Sequence, residues 1–121
     1  MLFNPDGSLK LVAGSPGSAQ IPGYVLKTIL GVVDWNLDVQ ASINLPNIQY
    51  GTVIDQSIPN NPTGLILEKN TYAEFMAPTF FDFGYNVVVR PTASGINAID
   101  VSKNQVHGAG DARKAGFARG G

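Results

Sequence analysis

Apolar and polar residues follow one another in short stretches whose period changes repeatedly along the chain. The first change comes at the sequence Asn-Pro-Asp-Gly of residues 4–7, which separates the apolar stretches 1–3 and 9–13. Proline fixes φ in such a turn and glycine accepts a positive φ. The two stretches therefore predict a β-hairpin, and the glycine- and serine-rich stretch 14–18 ends its second strand.

A long helix is predicted to follow this stretch. Ser18 is a suitable N-cap for a helix that begins there or at Ala19. Pro22 then falls in the first turn, where its missing N–H is not needed. Residues at spacings of three and four give the helix one buried face: Ile21, Val25, Ile29 and Val32, with Tyr24 and Thr28 beside them.

The remaining pattern predicts further helices and short strands. A second, shorter helix runs from a cap at Asn36 or Asp38 towards residue 45 and ends before the next proline. A third is predicted over residues 72–83, capped by Asn70 or Thr71, with a kink or break at Pro78. Strands are predicted over residues 48–54, 65–68 and 86–90, with a loop over 55–64 and a final hairpin over 95–101 and 104–108.

These elements place the chain in the α+β fold class. We expect a single partial domain over residues 1–121 that ends in a Gly/Ala-rich tail over residues 109–121. Several short strands in one small chain need neighbours on both sides. The mixed or antiparallel sheet, with helices packed on it, should therefore be completed by residues outside this chain.

Composition narrows the possible functions. Of the 121 residues, 44% are hydrophobic and only 14% are charged, which suggests that other protein covers part of the surface. The net charge of −1 gives no basic surface for nucleic acid or an anionic membrane, and no apolar run is long enough to span a membrane. Without cysteine there is no thiolate nucleophile, disulfide or zinc–thiolate site.

The N-terminus gives a further expectation. The first three residues run directly into a turn, with no signal-peptide pattern before it. Either the gene starts at this point or the chain is a truncated part of a longer protein.

The junction between the strand at 9–13 and the following helix is the most informative position for chemistry. The start of a helix presents unpaired backbone N–H groups, and glycine lets another molecule approach that backbone. Such a junction can hold an anion or the oxyanion of a tetrahedral intermediate. It can also be only a tight connection, and the sequence lacks the Lys-Ser/Thr end of a P-loop.

Other catalytic arrangements have little support. His107 is the chain's one histidine, and no Gly-x-Ser-x-Gly elbow accompanies it. Ser15, followed by Pro16, is a poor candidate nucleophile. The acidic residues are dispersed and predict neither a paired-carboxylate site nor a metal site. We therefore do not expect this chain to run a reaction by itself.

Two segments resemble the gamma-glutamyltransferase (gamma-glutamyltranspeptidase) family. Residues 11–18, Leu-Val-Ala-Gly-Ser-Pro-Gly-Ser, follow a Phe-Asn-Pro-Asp-Gly turn and are similar to a family stretch that ends in Gly-Ser-Pro-Gly-Gly. Residues 108–113, Gly-Ala-Gly-Asp-Ala-Arg, are similar to the terminal Gly-Ala-x-Asp-Pro-Arg of the family. The order and spacing of the two segments extend the resemblance over almost the whole chain.

The resemblance implies an N-terminal-nucleophile (Ntn) hydrolase with an αββα sandwich, of which this chain would be the C-terminal part of the small subunit. In that family a processed N-terminal Thr attacks the gamma-glutamyl amide, and no cofactor is needed. The oxyanion hole would correspond to the backbone N–H groups of Gly17 and Ser18, although Ser18 replaces the second glycine. The nucleophilic Thr and the residues that bind the gamma-glutamyl group would lie upstream of Met1, so this chain alone should be inactive.

The resemblance also implies partners and leaves alternatives open. The partners would be the remainder of the same enzyme and a gamma-glutamyl peptide substrate, in a periplasmic or secreted location. The isolated chain should self-associate, and Asp111 and Arg113 would form a structural ion pair. One alternative is a non-catalytic structural or binding module with the same half-fold. Another is a relative that acts on a different amide, such as the side chain of a beta-lactam.

Overall fold

The computed structural model describes residues 1–52, 63–102 and 105–119. Its strands are β1 (Leu2–Phe3), β2 (Leu9–Gly14), β3 (Ile48–Thr52), β4 (Thr63–Glu68), β5 (Val87–Arg90), β6 (Asn97–Ser102) and β7 (Gln105–Gly110). Its α-helices are α1 (Ile21–Val33), α2 (Val39–Asn44), α3 (Tyr72–Phe75) and α4 (Ala77–Asp82), with 3₁₀ turns at Ser18–Gln20 and Ala112–Lys114. The chain divides into two compact units, one formed by Met1–Leu45 and the segment from Ala93 onward, the other by Pro46–Thr92.

The first unit contains an antiparallel sheet in the order β1-β2-β6-β7. Leu11 of β2 lies opposite Asp100 of β6, and Ala13 lies opposite Ala98. Because side chains alternate along a strand, these residues share the face on which α1 and α2 pack. The core lies between this face and the two helices and consists of Leu11, Tyr24, Val32, Val39, Ile43, Ile96, Ala98 and Ala109.

The two helices approach each other closely where α1 carries a glycine. A Cβ placed on Gly31 would lie 2.7 Å from Cβ of Ser42 and 3.3 Å from its Cα, so only glycine fits there. Helix α2 begins at Asp38, whose carboxylate accepts hydrogen bonds from the N–H groups of Gln40 and Ala41. The cap and the close contact together hold α2 against α1.

The second unit contains a sheet in the order β3-β4-β5, with β3 antiparallel to β4 and β4 parallel to β5. Helices α3 and α4 lie in the connection between the two parallel strands, as parallel pairing requires. Ile66, Leu67 and Ala73 are buried in this unit. The buried Glu68 carboxylate accepts hydrogen bonds from the backbone N–H of Asn47 at 2.8 Å and from the Thr92 hydroxyl at 2.9 Å.

The α+β class is confirmed, as are several individual elements. The first hairpin forms across its predicted turn, and α2 begins at Asp38 as predicted. Thr71 caps α3 by accepting from the N–H of Ala73. The parts of the predictions that concern residues 53–62 and 103–104 lie outside the described residues.

Three sequence predictions about element boundaries and faces were wrong, and the predicted break in the helix over 72–83 is present at a different residue. Ser18 does not cap α1, because it lies inside a 3₁₀ turn with a positive φ. The buried positions of α1 are Tyr24, Thr28, Gly31 and Val32, so the buried face is rotated from the predicted one. The helix over 72–83 breaks at residue 76, two residues before Pro78. Residues 63 and 64 belong to β4 rather than to the predicted loop.

The Gly/Ala-rich tail also begins differently from its prediction. Residues 109 and 110 complete β7, which pairs with β6. Residues 112–114 then form a 3₁₀ turn. The prediction of a single partial domain over residues 1–121 stays a prediction.

Within the described ranges, no helix has the length and apolar character needed to cross a membrane.

Gly31→Ala should destabilise the protein despite the higher helix propensity of alanine. The new Cβ would overlap Ser42 at a backbone-proximal position that cannot rotate away, so the free energy of unfolding should fall by about 1–3 kcal/mol. Val33→Ala is the matched control because Val33 is exposed on the same helix. Urea unfolding followed by circular dichroism measures both, and equal effects would contradict the proposed close contact.

Candidate active site

The loop between β2 and α1 has an unusual backbone conformation. Gly17 has φ 135° and ψ 13°, and Ser18 has φ 54°. The first of these favours glycine strongly, and the second lies in the left-handed region that other residues enter rarely. Two consecutive residues with positive φ turn the chain sharply before the 3₁₀ turn Ser18–Gln20 and α1.

This conformation fixes the direction of the peptide between Gly17 and Ser18. The carbonyl oxygen of Gly17 accepts a hydrogen bond from the N–H of Gln20 at 3.1 Å. In a trans peptide the carbonyl and the following N–H point in opposite directions, and no cis peptide occurs among the described residues. The Ser18 N–H therefore points away from the turn that holds the Gly17 carbonyl.

The two amides of the loop are available as donors. In the described part of the chain, neither the N–H of Gly17 nor that of Ser18 donates a hydrogen bond. Ser18 is exposed and Gly17 is partly exposed, so an incoming acceptor can reach them. Adjacent free N–H groups beside a helix start are suited to hold negative charge.

The buried side chain of Tyr24 packs against this loop. A Cβ on Gly17 would lie 2.7 Å from Cε2 of Tyr24, so the ring lies directly against the glycine. Tyr24 is fully buried, and its hydroxyl donates to Oε1 of Gln20 at 2.6 Å. The same hydroxyl accepts from the N–H of Ala93 at 3.1 Å. The Tyr24 side chain therefore connects the loop, the start of the helix and the segment before β6.

Ser15 has a structural role in the same loop. Its hydroxyl donates to the carbonyl of Pro16 at 2.7 Å and accepts from the N–H of Gly95 at 3.1 Å. A Cβ on Gly95 would lie 2.9 Å from the Pro16 ring, so the two segments are in close contact. These bonds engage the hydroxyl and agree with the expectation that Ser15 is not a nucleophile.

A buried carboxylate anchors the other side of the segment before β6. Asp111 is 1% exposed, and its Oδ2 accepts hydrogen bonds from the Ser94 hydroxyl and from the N–H of Ile96. Its Oδ1 accepts from the backbone N–H of Arg113 at 2.9 Å and from the Arg113 guanidinium at 3.1 Å. The predicted ion pair between Asp111 and Arg113 is therefore present.

The Arg113 guanidinium continues this network to the end of α2. It donates to the carbonyl oxygens of Ile43 and Leu45, each at 3.1 Å. Nζ of Lys27 donates to the same two oxygens at 2.8 and 2.7 Å. Both cations thus satisfy carbonyls at a helix C-terminus, where positive charge is favourable.

The surroundings of Asp111 change its acidity. Burial by itself would raise the pKa of this carboxyl group, but the Ser94 hydrogen bond, the Arg113 amide and the Arg113 charge outweigh it. The pKa of Asp111 is therefore held below its usual value. A carboxyl group in this state is an anchor that stays ionised, not a proton donor for chemistry near neutral pH.

His107 lies away from the loop. Its side chain is exposed. It lies opposite Asp100 of β6, three residues further along that strand than Asn97, which is the partner of Gly14 at the start of the loop. It lines a polar cleft of about 570 Å³ with Lys10 and Asp100, which form an ion pair at 3.7 Å. Among the described residues, no group of three or more acidic or histidine side chains could hold a metal ion.

Sequence reasoning identified the loop but missed its support. The strand–glycine–helix junction predicts the loop, and the family resemblance assigns the oxyanion hole to Gly17 and Ser18. The sequence pattern places Tyr24 beside the predicted buried face of the helix and indicates no role for Ser94. The spacing of Tyr24 from Gln20, one helical turn, was the available signal for the first contact. Nothing local in the sequence signals the long-range partners of Asp111.

Known proteins resemble this chain in both sequence and fold. It is 29% identical over 96 residues to a glutathione hydrolase of Aspergillus flavus, which covers 79% of this chain and 15% of that protein. It is 27% identical over 106 residues to a glutathione hydrolase proenzyme of Arthroderma benhamiae, with 88% and 17% covered. The chain therefore spans less than a fifth of these curated relatives.

Solved structures with a similar fold include gamma-glutamyltranspeptidases. A mutant of the Helicobacter pylori enzyme matches with a TM-score of 0.69 and 25% identity, over 93% of this chain and 59% of that one. The Pseudomonas nitroreducens enzyme, in complex with L-DON, matches with a TM-score of 0.73 and 19% identity, over 98% and 59%. The described elements are thus part of the Ntn-hydrolase fold of these enzymes.

The sequence match defines the family directly. The gamma-glutamyltranspeptidase family model matches residues 1–121, and the chain belongs to that family. It corresponds to a part of the enzyme, and its fold class and its resemblance to the family are as predicted from the sequence.

Asp111→Asn should destabilise the protein near neutral pH by about 3 kcal/mol, because it removes one partner of a buried ion pair. The folded-state pKa of Asp111 is lowered, so its contribution is complete above the unfolded value of about 3.9. That contribution is lost as the pH falls through the folded-state pKa. The difference in free energy of unfolding between wild type and variant should therefore become smaller in that pH range.

Denaturant unfolding at several pH values measures this difference. Asp34→Asn removes the same charge from an exposed position on the same unit, and should change the free energy of unfolding by less than about 0.5 kcal/mol. A pH-independent difference for Asp111→Asn would show that the ionised carboxylate is not the anchor.

Proposed function

We propose that the complete protein cleaves gamma-glutamyl amides through an acyl-enzyme, by hydrolysis or by transfer to an acceptor. In this proposal the Gly17 and Ser18 amides of the present chain form the oxyanion hole. The observation that carries it is the pair of adjacent backbone N–H groups without an acceptor in the described chain, at the start of α1. Membership of the gamma-glutamyltranspeptidase family supports the reaction class.

The chemistry explains why two fixed donors matter. A Thr hydroxyl, supplied by a part of the enzyme outside this chain, forms a C–O bond to the amide carbon, and the carbonyl oxygen becomes an oxyanion. The Thr hydroxyl gives up its proton to the N-terminal amine of the same residue, collapse of the intermediate breaks the C–N bond, and the leaving amine takes that proton. Donors that are already oriented towards the oxyanion stabilise it without reorganisation, and each is worth about 10²–10³ in rate.

Ser18 is compatible with this role. The donor is a backbone N–H, which glycine and serine both possess. The left-handed φ of 54° costs a residue other than glycine of order 1 kcal/mol, and the contacts of the loop hold it there. The replacement of the family's second glycine therefore costs some stability and keeps the donor.

The remainder of the enzyme is the proposed partner of this chain. Cross-strand pairs place Val12 beside Ile99, and Val101 beside Val106, on the sheet face opposite α1 and α2. Ile99 is 46% and Val106 is 70% exposed, which leaves an apolar face for another layer. An αββα sandwich requires a second sheet at that position. Self-association of the isolated chain remains a prediction.

The direct test is an assay of the complete gene product and of this chain alone with a gamma-glutamyl anilide. We expect release of the aniline by the complete protein and none by the isolated chain, which lacks the nucleophile. A complete protein without a processed Thr and without activity would favour a non-catalytic module. Activity on a different amide alone would favour a relative with another substrate.

Gly17→Ala in the complete protein should lower kcat by about 100-fold, the loss of one oxyanion donor, with KM within a few-fold. The added Cβ would overlap the Tyr24 ring, and alanine disfavours φ 135°. Gly14→Ala is the matched control, because Gly14 ends β2 just before the loop and a Cβ there meets nothing within 4 Å. Equal kcat values for the two variants would overturn the assignment of Gly17.

Ser18→Gly should keep kcat within about threefold and raise the free energy of unfolding by up to about 1 kcal/mol, because glycine adopts the left-handed region without strain. Ser18→Val should lower kcat strongly, because a β-branched residue resists positive φ and moves the amide. Steady-state kinetics and thermal unfolding measure both. A loss of activity in Ser18→Gly would instead assign the role to the serine hydroxyl.

A further inference from the structure

We propose that Tyr24 is the positioning residue that orients the Gly17 and Ser18 amides. It acts through the loop and does not contact the reacting atoms. The inference rests on the proposed function for its effect on catalysis, whereas its effect on the loop backbone stands on the structure alone.

The aromatic ring restricts the position of Gly17. Cε2 of Tyr24 lies 2.7 Å, and Cδ2 3.2 Å, from the point where a Cβ of Gly17 would be. The carbonyl oxygen of Ala93 lies 3.8 Å from the same point. Gly17 is thus bordered by the ring and by the segment before β6, and the side of the loop that faces the helix is closed.

The hydroxyl restricts the orientation of the next peptide. It donates to the side chain of Gln20 at 2.6 Å, and the backbone N–H of Gln20 donates to the Gly17 carbonyl at 3.1 Å. The position of Gln20 therefore sets the direction of the Gly17 carbonyl and, through the planar peptide, of the Ser18 N–H. The Tyr24 side chain thus contacts Gly17 through its ring and Gln20 through its hydroxyl.

The second bond of the hydroxyl connects the loop to the sheet. It accepts from the N–H of Ala93 at 3.1 Å, and Ala93 immediately precedes Ser94 and Gly95, which bind Asp111 and Ser15 respectively. The tyrosine is fully buried, so water cannot readily replace these bonds. Its hydroxyl is therefore a rigid link between the start of α1 and the segment before β6.

The test is Tyr24→Phe in the complete gene product, which keeps the ring and removes the hydroxyl. We expect kcat on a gamma-glutamyl anilide to fall about tenfold with KM nearly unchanged, since misplaced donors weaken only the transition state. The control is Thr28→Val, which removes a buried hydroxyl one turn further along α1. The Thr28 hydroxyl donates to the backbone carbonyl of Tyr24 and not to its phenol, so kcat should stay within about twofold.

A second measurement separates this inference from the proposed function. Hydrogen–deuterium exchange should be faster in Tyr24→Phe at the two hydrogen-bonded amides of this network, Ala93 and Gln20, and unchanged at both in Thr28→Val. An inactive wild type with this exchange pattern would overturn only the proposed function. Unchanged exchange, or equal losses of kcat in the two variants, would overturn the role of Tyr24. Gln20→Ala, at a partly exposed position, should reproduce part of the effect.

Discussion

The buried carboxylate of Asp111 is the constraint on which the first unit depends. A charge with 1% exposure is tolerated only when hydrogen bonds and an opposite charge surround it. Asp111 obtains them from the segment before β6 and from Arg113, and Arg113 extends the network to the last carbonyls of α2. The ion pair therefore connects the segment before β6, the residues after β7 and the C-terminal end of α2 in one hydrogen-bonded network.

The geometry of the candidate active site depends on the hydrogen bonds around Asp111. The segment that Asp111 holds on one side binds Ser15 and Tyr24 on its other side. Those contacts hold Gly17 and Ser18 at positive φ, a conformation that glycine accepts and that serine adopts rarely. The strain in the loop is small and local, and the surrounding packing offsets it. Two backbone donors without acceptors in the described chain are the result.

The sequence predicts those features that depend on local chemistry. The turn at residues 4–7, the Asp38 cap and the strand–glycine–helix junction each follow from residues close together in the chain. The cap at Ser18 could not be predicted correctly, because long-range contacts from Tyr24 and Ala93 give this loop its positive φ values. The buried face of α1 also depends on a tertiary contact, because Gly31 lies where α1 packs closely against Ser42 of α2. The motif located the candidate site, whereas its geometry depends on partners some 70 residues away in the sequence.

The most direct measurement is a crystal structure of the complete protein with a gamma-glutamyl analogue that mimics the tetrahedral intermediate. We expect the oxygen that represents the oxyanion to lie about 2.7–3.1 Å from the backbone nitrogens of Gly17 and Ser18. An oxygen bound to other donors, with these two amides facing solvent or bonded within the protein, would contradict the account.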